Sequence, residues 1–488
     1  MDVVQGPEWS EGTDGRYAGR YPLAVERHVL RCVAELLPGV TTVTRNARYY
    51  SLHGYVAGEA QLRNLNDVES LDLLRRAETV VAAVSILHDQ DHSWLPRAHG
   101  ADYLTDKITD EGLNLELHSK PGKYAALTTG FRGPYQASEQ LLGLAASDGD
   151  SMFWSHHKRI RRGFSGLIEL AGKSRVSLSE LREHAHLCIC GARHQDDGVL
   201  LRELLTAKTA PDETDDGKRK QSIRMFLRLV EMAPPNFITK DLSNTLNFDP
   251  AVREDRLLSE IPVTSAWQGV SLRSRSVGAW RALWAYLVKN IPGLCHRDDF
   301  STPLVDSLPT QTVSQYLEDL PDTWMHTGQA LPAEVDGIAS RKLPERHLAT
   351  LFLGSARLPE MPEGVRPYFE TKRDASQEFS PSWFSNALED WADRQLRDFA
   401  HDLCRLMLLR ANRIALRKAR FDAISGITRV PTRIFFRDDL IFKDSNEGGD
   451  NVSLRWEPLM SVLSGVNLVI RDEDERWHLT EQGAMDLA

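Results

Sequence analysis

The sequence predicts a mainly α, multidomain protein that ends in a small α+β module. The first observation is length, because 488 residues are about three times the size of a typical single domain. The second is hydrophobic periodicity, which follows a helical repeat in most apolar segments. The third is composition, since 41% hydrophobic and 26% charged residues are ordinary for a globular chain with a large core.

Charge and cysteine content exclude several classes of protein. The formal net charge of −10 excludes a chain that is basic throughout, although local basic patches remain compatible with it. Five cysteines are too few for a disulfide-stapled secreted scaffold. The acidic, polar start lacks the features of a signal peptide, and the longest nearly apolar run, residues 80–87, is too short to span a membrane. We therefore expect a cytoplasmic protein without a membrane partner.

Motifs for nucleotide binding and catalysis are missing. The sequence has no G-x-G-x-x-G, no G-x-S-x-G and no H-E-x-x-H. Gly172-Lys173-Ser174 looks like the end of a P-loop, but Leu167 stands where the first glycine belongs. Whether the protein is an enzyme is left open, and a non-catalytic role is favoured.

Three helices are predicted from clear local signals. Apolar residues at helical spacing predict a helix over 68–92 and a longer one over 386–424. The longer helix would span about 57 Å at 1.5 Å per residue. Its acids come early and its bases late, which suits the helix dipole. Ser177 followed by Glu180 is a capping box that opens a third helix, which Gly191 would close.

The domain organisation is predicted from breaks in this periodicity. The charged, turn-rich stretch 208–222 predicts a solvated loop, and the proline-rich stretch 355–383 predicts a connection between domains. The predicted domains are 1–150 (N-terminal helical domain), 151–250 (helical domain with a His/Cys cluster and a charged loop), 251–375 (helical middle domain with a Pro-rich connection) and 376–488 (long basic helix plus the α+β module).

The C-terminal module has a helix–hairpin–helix pattern. We predict a helix over 456–464, a strand over 468–470, a tight turn over 472–475, a returning strand over 477–479 and a last helix capped by Thr480. The run LVIR, a charged turn and then LTEQG resembles the wing of winged helix-turn-helix domains, particularly the MarR- and PadR-like regulators. In that superfamily the helix before the wing enters the major groove and the wing touches phosphate, so the resemblance implies DNA binding.

The module departs from the winged-helix pattern in two places. The wing tip, residues 472–475, consists of four acids where a phosphate-facing loop needs Lys or Arg. The helix before it offers only Arg455 at its edge, beside Glu457. Because winged helices also dock proteins, the acidic wing makes a protein partner an alternative to DNA.

Basic residues at helical spacing predict a second nucleic-acid surface. Four arginines from Arg410 to Arg420 are three, four and three residues apart, so they share one helical face. Such a face could neutralise several phosphates, and the alternative is an ordinary solvated helix face. The predicted nucleic-acid contacts are Arg405, Arg410, Arg413, Arg417, Lys418, Arg420, Lys158, Arg159, Arg161 and Arg162.

The first metal-site candidate is a cluster of histidines and cysteines. It comprises His184, Cys188, Cys190 and His194, and thiolate and imidazole ligands suit Zn²⁺ or another divalent ion. A helix over these residues would point the two sulfurs in different directions, whereas an extended segment over 187–190 would point them the same way and let His194 join. The alternative is that the cysteines belong to the core.

The second metal-site candidate is built on His53, His88 and Asp89. The run AAVSILHD resembles the A-x-L-L-H-D helix end of HD-domain metal phosphohydrolases, which also use an upstream histidine. The resemblance implies a divalent ion that activates water for attack on a phosphoester. The residues after the dyad, Gln90-Asp91-His92, depart from the family pattern. The alternative is a polar helix end, where histidine suits the dipole.

Together these signals predict a non-catalytic, nucleic-acid-associated subunit or assembly subunit of a multi-protein complex. DNA and partner subunits are the expected ligands. The alternatives are an HD-like phosphohydrolase and a protein-interaction scaffold that does not bind DNA. The size of the chain and its scattered modules also resemble accessory subunits of bacterial genome-defence operons, which would imply a role in antiviral defence.

Overall fold

A computed structural model describes residues 21–88, 95–148, 151–154, 157–233, 242–323, 332–423, 426–474 and 476–487. In this part of the chain the protein is mainly α-helical, as predicted. No helix within these ranges combines the length and the apolar character that crossing a membrane requires. The α-helices are α1 Arg27–Leu36, α2 Ala47–Leu62, α3 Asp67–Leu87, α4 Ala101–Leu104, α5 Leu115–His118, α6 Arg132–Leu141, α7 His157–Ile160, α8 Leu167–Ala171, α9 Leu178–Glu183, α10 Asp196–Thr206, α11 Asp215–Met232, α12 Leu242–Phe248, α13 Pro250–Glu254, α14 Arg256–Glu260, α15 Val263–Lys289, α16 Thr302–Val305, α17 Val313–Glu318, α18 Pro332–Ala339, α19 Glu345–Ala356, α20 Arg366–Phe369, α21 Lys372–Ala375, α22 Pro381–Asp390, α23 Leu396–Arg417, α24 Trp456–Gly465 and α25 Glu481–Leu487.

The strands are short and form small antiparallel sheets. Four pairs stand alone as two-stranded sheets, β1 with β4, β2 with β3, β6 with β7 and β10 with β11, and β5, β9 and β8 lie side by side in that order. The strands are β1 Leu113–Asn114, β2 Ala145–Asp148, β3 Ser151–Trp154, β4 Arg175–Val176, β5 Leu294–His296, β6 Arg420–Asp422, β7 Ile427–Arg429, β8 Ile434–Arg437, β9 Leu440–Lys443, β10 Val469–Arg471 and β11 Trp477–Leu479.

The chain divides into two compact units, each made of several stretches of sequence. Unit 1 takes the described residues of 1–32, 243–255 and 265–454. Unit 2 takes those of 33–242, 256–264 and 455–488. The predicted boundaries after residues 150, 250 and 375 lie inside these stretches, so the units do not follow the four predicted domains.

Unit 2 is organised around two long helices. Helix α2 packs on α3 and α10, and α3 also packs on α8 and α9. Helix α3 begins with a capping box, in which Asn66 and Glu69 exchange hydrogen bonds, and its second half is almost wholly buried. The described helix ends at Leu87, within the predicted span of 68–92, and residues 89–94 lie outside the described residues.

Unit 1 contains most of the long helix α15 and all of helices α22 and α23. One core cluster joins Phe248 and Leu272 to four apolar residues of the stretch predicted as an interdomain connection. The stretch 355–383 therefore packs into unit 1. Its prolines limit it to short helices and turns, and the apolar residues between them enter the core. Its four core members are Leu358, Met361, Val365 and Phe369.

The predicted long helix over 386–424 is wrong, because it is interrupted. Helix α22 ends at Asp390, α23 begins at Leu396, and Arg420–Asp422 is a strand. Backbone groups at the break bond outside the helix: the amide of Leu396 donates to the carbonyl of Gln311 at 2.9 Å. Non-local hydrogen bonds thus replace the helical ladder.

Two further local predictions are corrected by the structure. The stretch predicted as a solvated loop, 208–222, contains the start of α11, whose first turn is capped by Thr214. The capping box of Ser177 and Glu180 is confirmed, but the helix it opens ends at Glu183 rather than at Gly191. Two 3-10 turns follow it, Ala185–Leu187 and Ile189–Arg193.

The C-terminal module has the predicted local elements. Helix α24 is followed by the β10–β11 hairpin, in which Val469 pairs with Leu479 and Arg471 with Trp477, and then by α25. The hairpin and α25 both pack against α11. Its membership of the winged-helix superfamily stays a prediction.

Candidate metal centre

Three ligand atoms, one imidazole nitrogen and two sulfurs, converge in unit 2. The side chains of His88, Cys188 and Cys190 each offer one ligand atom, and these atoms all lie within 4.8 Å of one another. Nδ1 of His88 is 3.3 Å from Sγ of Cys190. Cys188 is buried, whereas His88 and Cys190 are half-buried. The group therefore combines residues about one hundred positions apart in the sequence.

His88 is placed by the end of helix α3. The helix stops at Leu87, and His88 takes an extended backbone conformation with φ −73° and ψ 121°. The preceding helical residues Val84 and Ser85 are buried, so the end of α3 lies against the core of unit 2. The backbone change turns the imidazole towards the segment that follows α9.

The two cysteines are placed by a break between two 3-10 turns. Cys188 has φ −53° and ψ 148°, an extended conformation between the turns Ala185–Leu187 and Ile189–Arg193. The sulfurs of Cys188 and Cys190 come close to one another in this geometry, but the segment 187–190 is not extended as a whole, because Leu187 and Cys190 each belong to a 3-10 turn. The amide of Ile189 donates to the hydroxyl of Ser85 at 3.0 Å, which ties the segment to helix α3.

A buried arginine holds the same segment from helix α2. Nη1 of Arg48 donates to the carbonyl oxygens of His186 and Cys188, and its Nη2 donates to that of Gly163 at 2.6 Å. Asp197 is also buried, and its carboxylate lies 3.4 Å from Nε of Arg48. Burial of a guanidinium is tolerated where carbonyls and a carboxylate surround it. Arg48 therefore positions the backbone of Cys188.

The donor set and spacing suit Zn²⁺. A tetrahedral zinc with its usual bonds to sulfur and nitrogen separates neighbouring ligand atoms by about 3.5–3.8 Å. The 3.3 Å separation of His88 and Cys190 and the 4.8 Å limit on the whole group need only small movements to reach that geometry. Two thiolates and an imidazole are ligands for zinc rather than for magnesium or calcium.

Metal binding at this group requires the loss of thiol protons. A hydrogen bond with Cys188 and burial raise the pKa of the Cys190 thiol above its ordinary value. Because only thiolates ligate a metal, binding should release protons to the solvent.

The first predicted metal cluster is half reproduced. Cys188 and Cys190 come together, but within the described chain neither His184 nor His194 joins them. Nδ1 of His184 donates to the carbonyl of Glu180 at 2.8 Å, back along its own helix. His194 follows the second turn and is exposed. The histidine that replaces them, His88, comes from the second candidate.

The second predicted cluster is divided. Both ring nitrogens of His53 face carboxylates, with Nδ1 2.6 Å from Glu139 and Nε2 3.0 Å from Glu78. His88 faces Cys190 instead, and Asp89 lies outside the described residues. Tyr124 donates its hydroxyl to the other oxygen of Glu78 at 2.6 Å, so the surroundings of His53 form a buried polar network.

Sequence reasoning missed the residues that organise these sites, which are Arg48, Glu78 and Glu139. Each lies in a helix and is almost fully buried. The signal that could have found Glu78 is its position two residues before the apolar run 80–84, because a charge on a buried helical stretch has to be paired.

Two of the six predicted nucleic-acid residues around helix α23 are engaged by an acid. Arg410 and Arg413 both donate to the carboxylate of Glu378, at 3.0 Å and at 2.6–2.8 Å. Lys418 donates to the carbonyl of Tyr21 at 3.3 Å. Arg405, Arg417 and Arg420 are exposed.

The second basic patch, in unit 2, shows the same pattern. Arg159 lies 2.8 Å from Glu203, Arg161 lies 3.8 Å from Glu59 and Arg162 lies 3.7 Å from Asp196, while Lys158 is exposed. The pairs of Arg159 and Arg162 are exposed and contribute little stability, about 0–1 kcal/mol each, and all three pairs lower the net charge that the patch presents.

Comparison with known proteins leaves the geometry as the guide to function. No protein-family model, no curated protein and no solved structure matches this chain significantly.

Proposed function

We propose that this chain is a zinc-binding protein. One Zn²⁺ would bind Nδ1 of His88 and the Sγ atoms of Cys188 and Cys190, and would join the end of helix α3 to the turns after α9. The observation that carries the proposal is the convergence of these three ligand atoms within 4.8 Å from two distant segments. Three protein ligands leave a fourth tetrahedral position for water or another ligand, as in catalytic zinc sites.

Support also comes from the way the ligands are held. Ser85, one turn before His88, bonds to the amide next to Cys188, and Arg48 bonds to the carbonyl of Cys188 itself. Outer contacts of this kind orient metal ligands and reduce the ordering that binding requires. A pair of ordinary core cysteines needs neither the histidine nor these anchors.

The test is metal content and cobalt spectroscopy of the full-length protein. Wild-type protein should bind about one Zn²⁺ per chain, and Co²⁺ in its place should give the visible absorption of a tetrahedral thiolate site. Cys188→Ser, Cys190→Ser and His88→Asn should each lower the affinity at least about tenfold. Cys295→Ser, at a half-buried cysteine in unit 1, is the matched control and should keep full binding.

One result would overturn the proposal. If metal-free wild-type protein takes up Zn²⁺ and Co²⁺ no better than the Cys188→Ser/Cys190→Ser variant, the cysteines belong to the core and the site does not exist. Circular dichroism spectra of all variants establish that a loss of binding is not a loss of folding.

The nucleic-acid-associated or assembly role stays a proposal beside this one. The exposure of Arg405, Arg417 and Arg420 supports it, whereas the sharing of Glu378 by Arg410 and Arg413 reduces the charge available to phosphates. An HD-like phosphohydrolase receives no support from the described contacts, because both nitrogens of His53 already face carboxylates.

A further inference from the structure

An apolar groove runs along one side of helix α23 in unit 1. It has a volume of about 770 Å³ and lies between α22 and α23. Its walls include the half-buried Trp383 and Trp391, and its floor includes Leu406, which is 38% exposed. The part of α23 that lines it, from Phe399 to Leu416, is about 26 Å long at 1.5 Å per residue. Phe399 and Leu403 are buried, but Leu406, Leu409 and Leu416 leave apolar surface open along the groove, which is typical of an interaction surface.

The exposed face of α23 along this groove has an ordered charge pattern. Six of its residues follow one another at intervals of three or four positions, so they lie on one side of the helix. Along this row of six positions the acids come first, the leucines next and the arginines last, while the exposed Arg405, which also lines the groove, lies at the edge of the row beside Leu406. The helix dipole explains the order of the charges but not the leucines between them. The residues of this α23 face are Asp398, Asp402, Leu406, Leu409, Arg413 and Arg417.

We propose that the α23 face binds a second copy of this chain, antiparallel and related by a two-fold axis between Leu406 and Leu409. In that arrangement Asp402 meets Arg413 of the second copy, and Leu406 meets its Leu409. Asp398 meets its Arg417. A two-fold axis repeats each pair, so one helix face supplies four ion pairs around a leucine centre. The face is thus complementary to itself in both charge and hydrophobicity.

The contacts of Arg413 within its own chain are compatible with this role. Its Nη2 donates to Glu378, yet the side chain is 52% exposed. A guanidinium presents five N–H groups in a planar fork, so it can hold Glu378 and an aspartate of the second copy together. Trp383 and Trp391 on the groove wall add the aromatic area that interface centres favour.

The test exploits the symmetry of the proposed pairs. Sedimentation velocity of the full-length protein should show a monomer–dimer equilibrium over a wide concentration range. Asp398→Arg alone and Arg417→Asp alone should each raise the dimer Kd at least about tenfold, because each creates two like-charge contacts. Combining the two changes in one chain restores opposite charges at both positions and should restore the dimer. Asp398 and Arg417 are exposed, so the swaps leave the core intact.

A variant of Leu406 and a DNA-binding measurement complete the test. Leu406→Glu should abolish the dimer, whereas Leu62→Glu, at an exposed leucine in unit 2, should not. A protein that stays monomeric at every concentration overturns the proposal. A dimer whose Kd is unchanged by Asp398→Arg alone and by Arg417→Asp alone overturns it as well. If the monomer instead binds random duplex DNA and Arg417→Asp weakens that binding, the face serves nucleic acid. These results are independent of the zinc site, which lies in unit 2.

Discussion

Glu139 and His53 are 86 positions apart in the sequence, yet Oε1 of Glu139 lies 2.6 Å from Nδ1 of His53 with both side chains fully buried. Glu78 lies 3.0 Å from the other ring nitrogen. An imidazole between two carboxylates is best satisfied as an imidazolium that donates from both nitrogens. Burial alone would lower the pKa of His53, but the two glutamates outweigh it and raise the pKa to about 9.

The His53 network predicts a loss of stability at alkaline pH. A histidine whose pKa rises from 6.5 to about 9 on folding contributes fully below pH 6.5, and that contribution is lost as the pH passes through about 9. We expect the free energy of unfolding from urea titrations to fall across this range. His53→Gln should be less stable at neutral pH and should lack this part of the slope, while His194→Gln should keep it. Equal slopes in wild type and His53→Gln would contradict the assignment.

Arg48 should be essential for the zinc site although it binds no metal. In Arg48→Lys the three N–H groups lie on a single nitrogen, which cannot reach the carbonyls of Gly163, His186 and Cys188 together. We expect stability to fall by about 3 kcal/mol and zinc affinity to fall with it. Urea unfolding and zinc titration measure both. Arg63→Lys, at an exposed arginine 3.7 Å from the carboxylate of Glu59, keeps the positive charge and should change neither measurably. An Arg48→Lys protein with wild-type zinc affinity would show that the Arg48 contacts do not matter.

Gly198 should not tolerate a side chain. Its helix starts so close to the second 3-10 turn that a Cβ on Gly198 would overlap the carbonyl of Ala192. Gly198→Ala should therefore push the turn that carries Cys190, lowering stability by about 3 kcal/mol and weakening zinc binding. Gly448→Ala, where a Cβ meets nothing, should stay within about 0.5 kcal/mol of wild type in thermal and urea unfolding. A stable Gly198→Ala protein with intact metal binding would rule out this close approach.

Zinc should stabilise unit 2 by mass action. An ion that binds the folded protein at one hundred times its Kd adds about 2.7 kcal/mol to the free energy of unfolding. A chelator should lower the Tm of the wild-type protein. The Tm of Cys188→Ser should change neither when zinc is added nor when a chelator is added. Differential scanning calorimetry with and without added Zn²⁺ measures this difference. A wild-type Tm that is insensitive to the metal would argue against a site between α3 and the turns after α9.

Duplex DNA binding, if carried by helix α23, should depend on salt in a defined way. Each lost phosphate contact lowers the slope of log K against log salt by about 0.9. Arg413 forms an ion pair with Glu378, whereas Arg417 is exposed. Arg417→Glu should therefore reduce the slope more than Arg413→Glu does. Titrations of random duplex DNA at two salt concentrations measure both slopes. Unchanged slopes in both variants would remove the nucleic-acid role of this face.

Part of the candidate metal centre was predictable from local sequence. Two cysteines one residue apart attract attention as soft ligands, and the histidine that ends α3 stood out for a different reason. Neither prediction joined them, because the helix end and the turn segment meet only through packing of α2, α3 and the turns. His88, rather than His184 or His194, approaches the cysteines because of contacts between residues about one hundred positions apart in the sequence. No local sequence pattern predicts such contacts.

The sequence by itself determined the helical class, the capping box at Ser177 and the C-terminal hairpin, because periodicity, caps and turns act over a few neighbouring residues. Only the tertiary structure decided where the helix predicted over 386–424 breaks and which basic residues are neutralised. The carbonyl of Gln311 competes for the amide of Leu396, and Glu378 captures Arg410 and Arg413. Hydrogen-bond acceptors supplied by distant segments can override a local helical preference, and only folding brings them within reach.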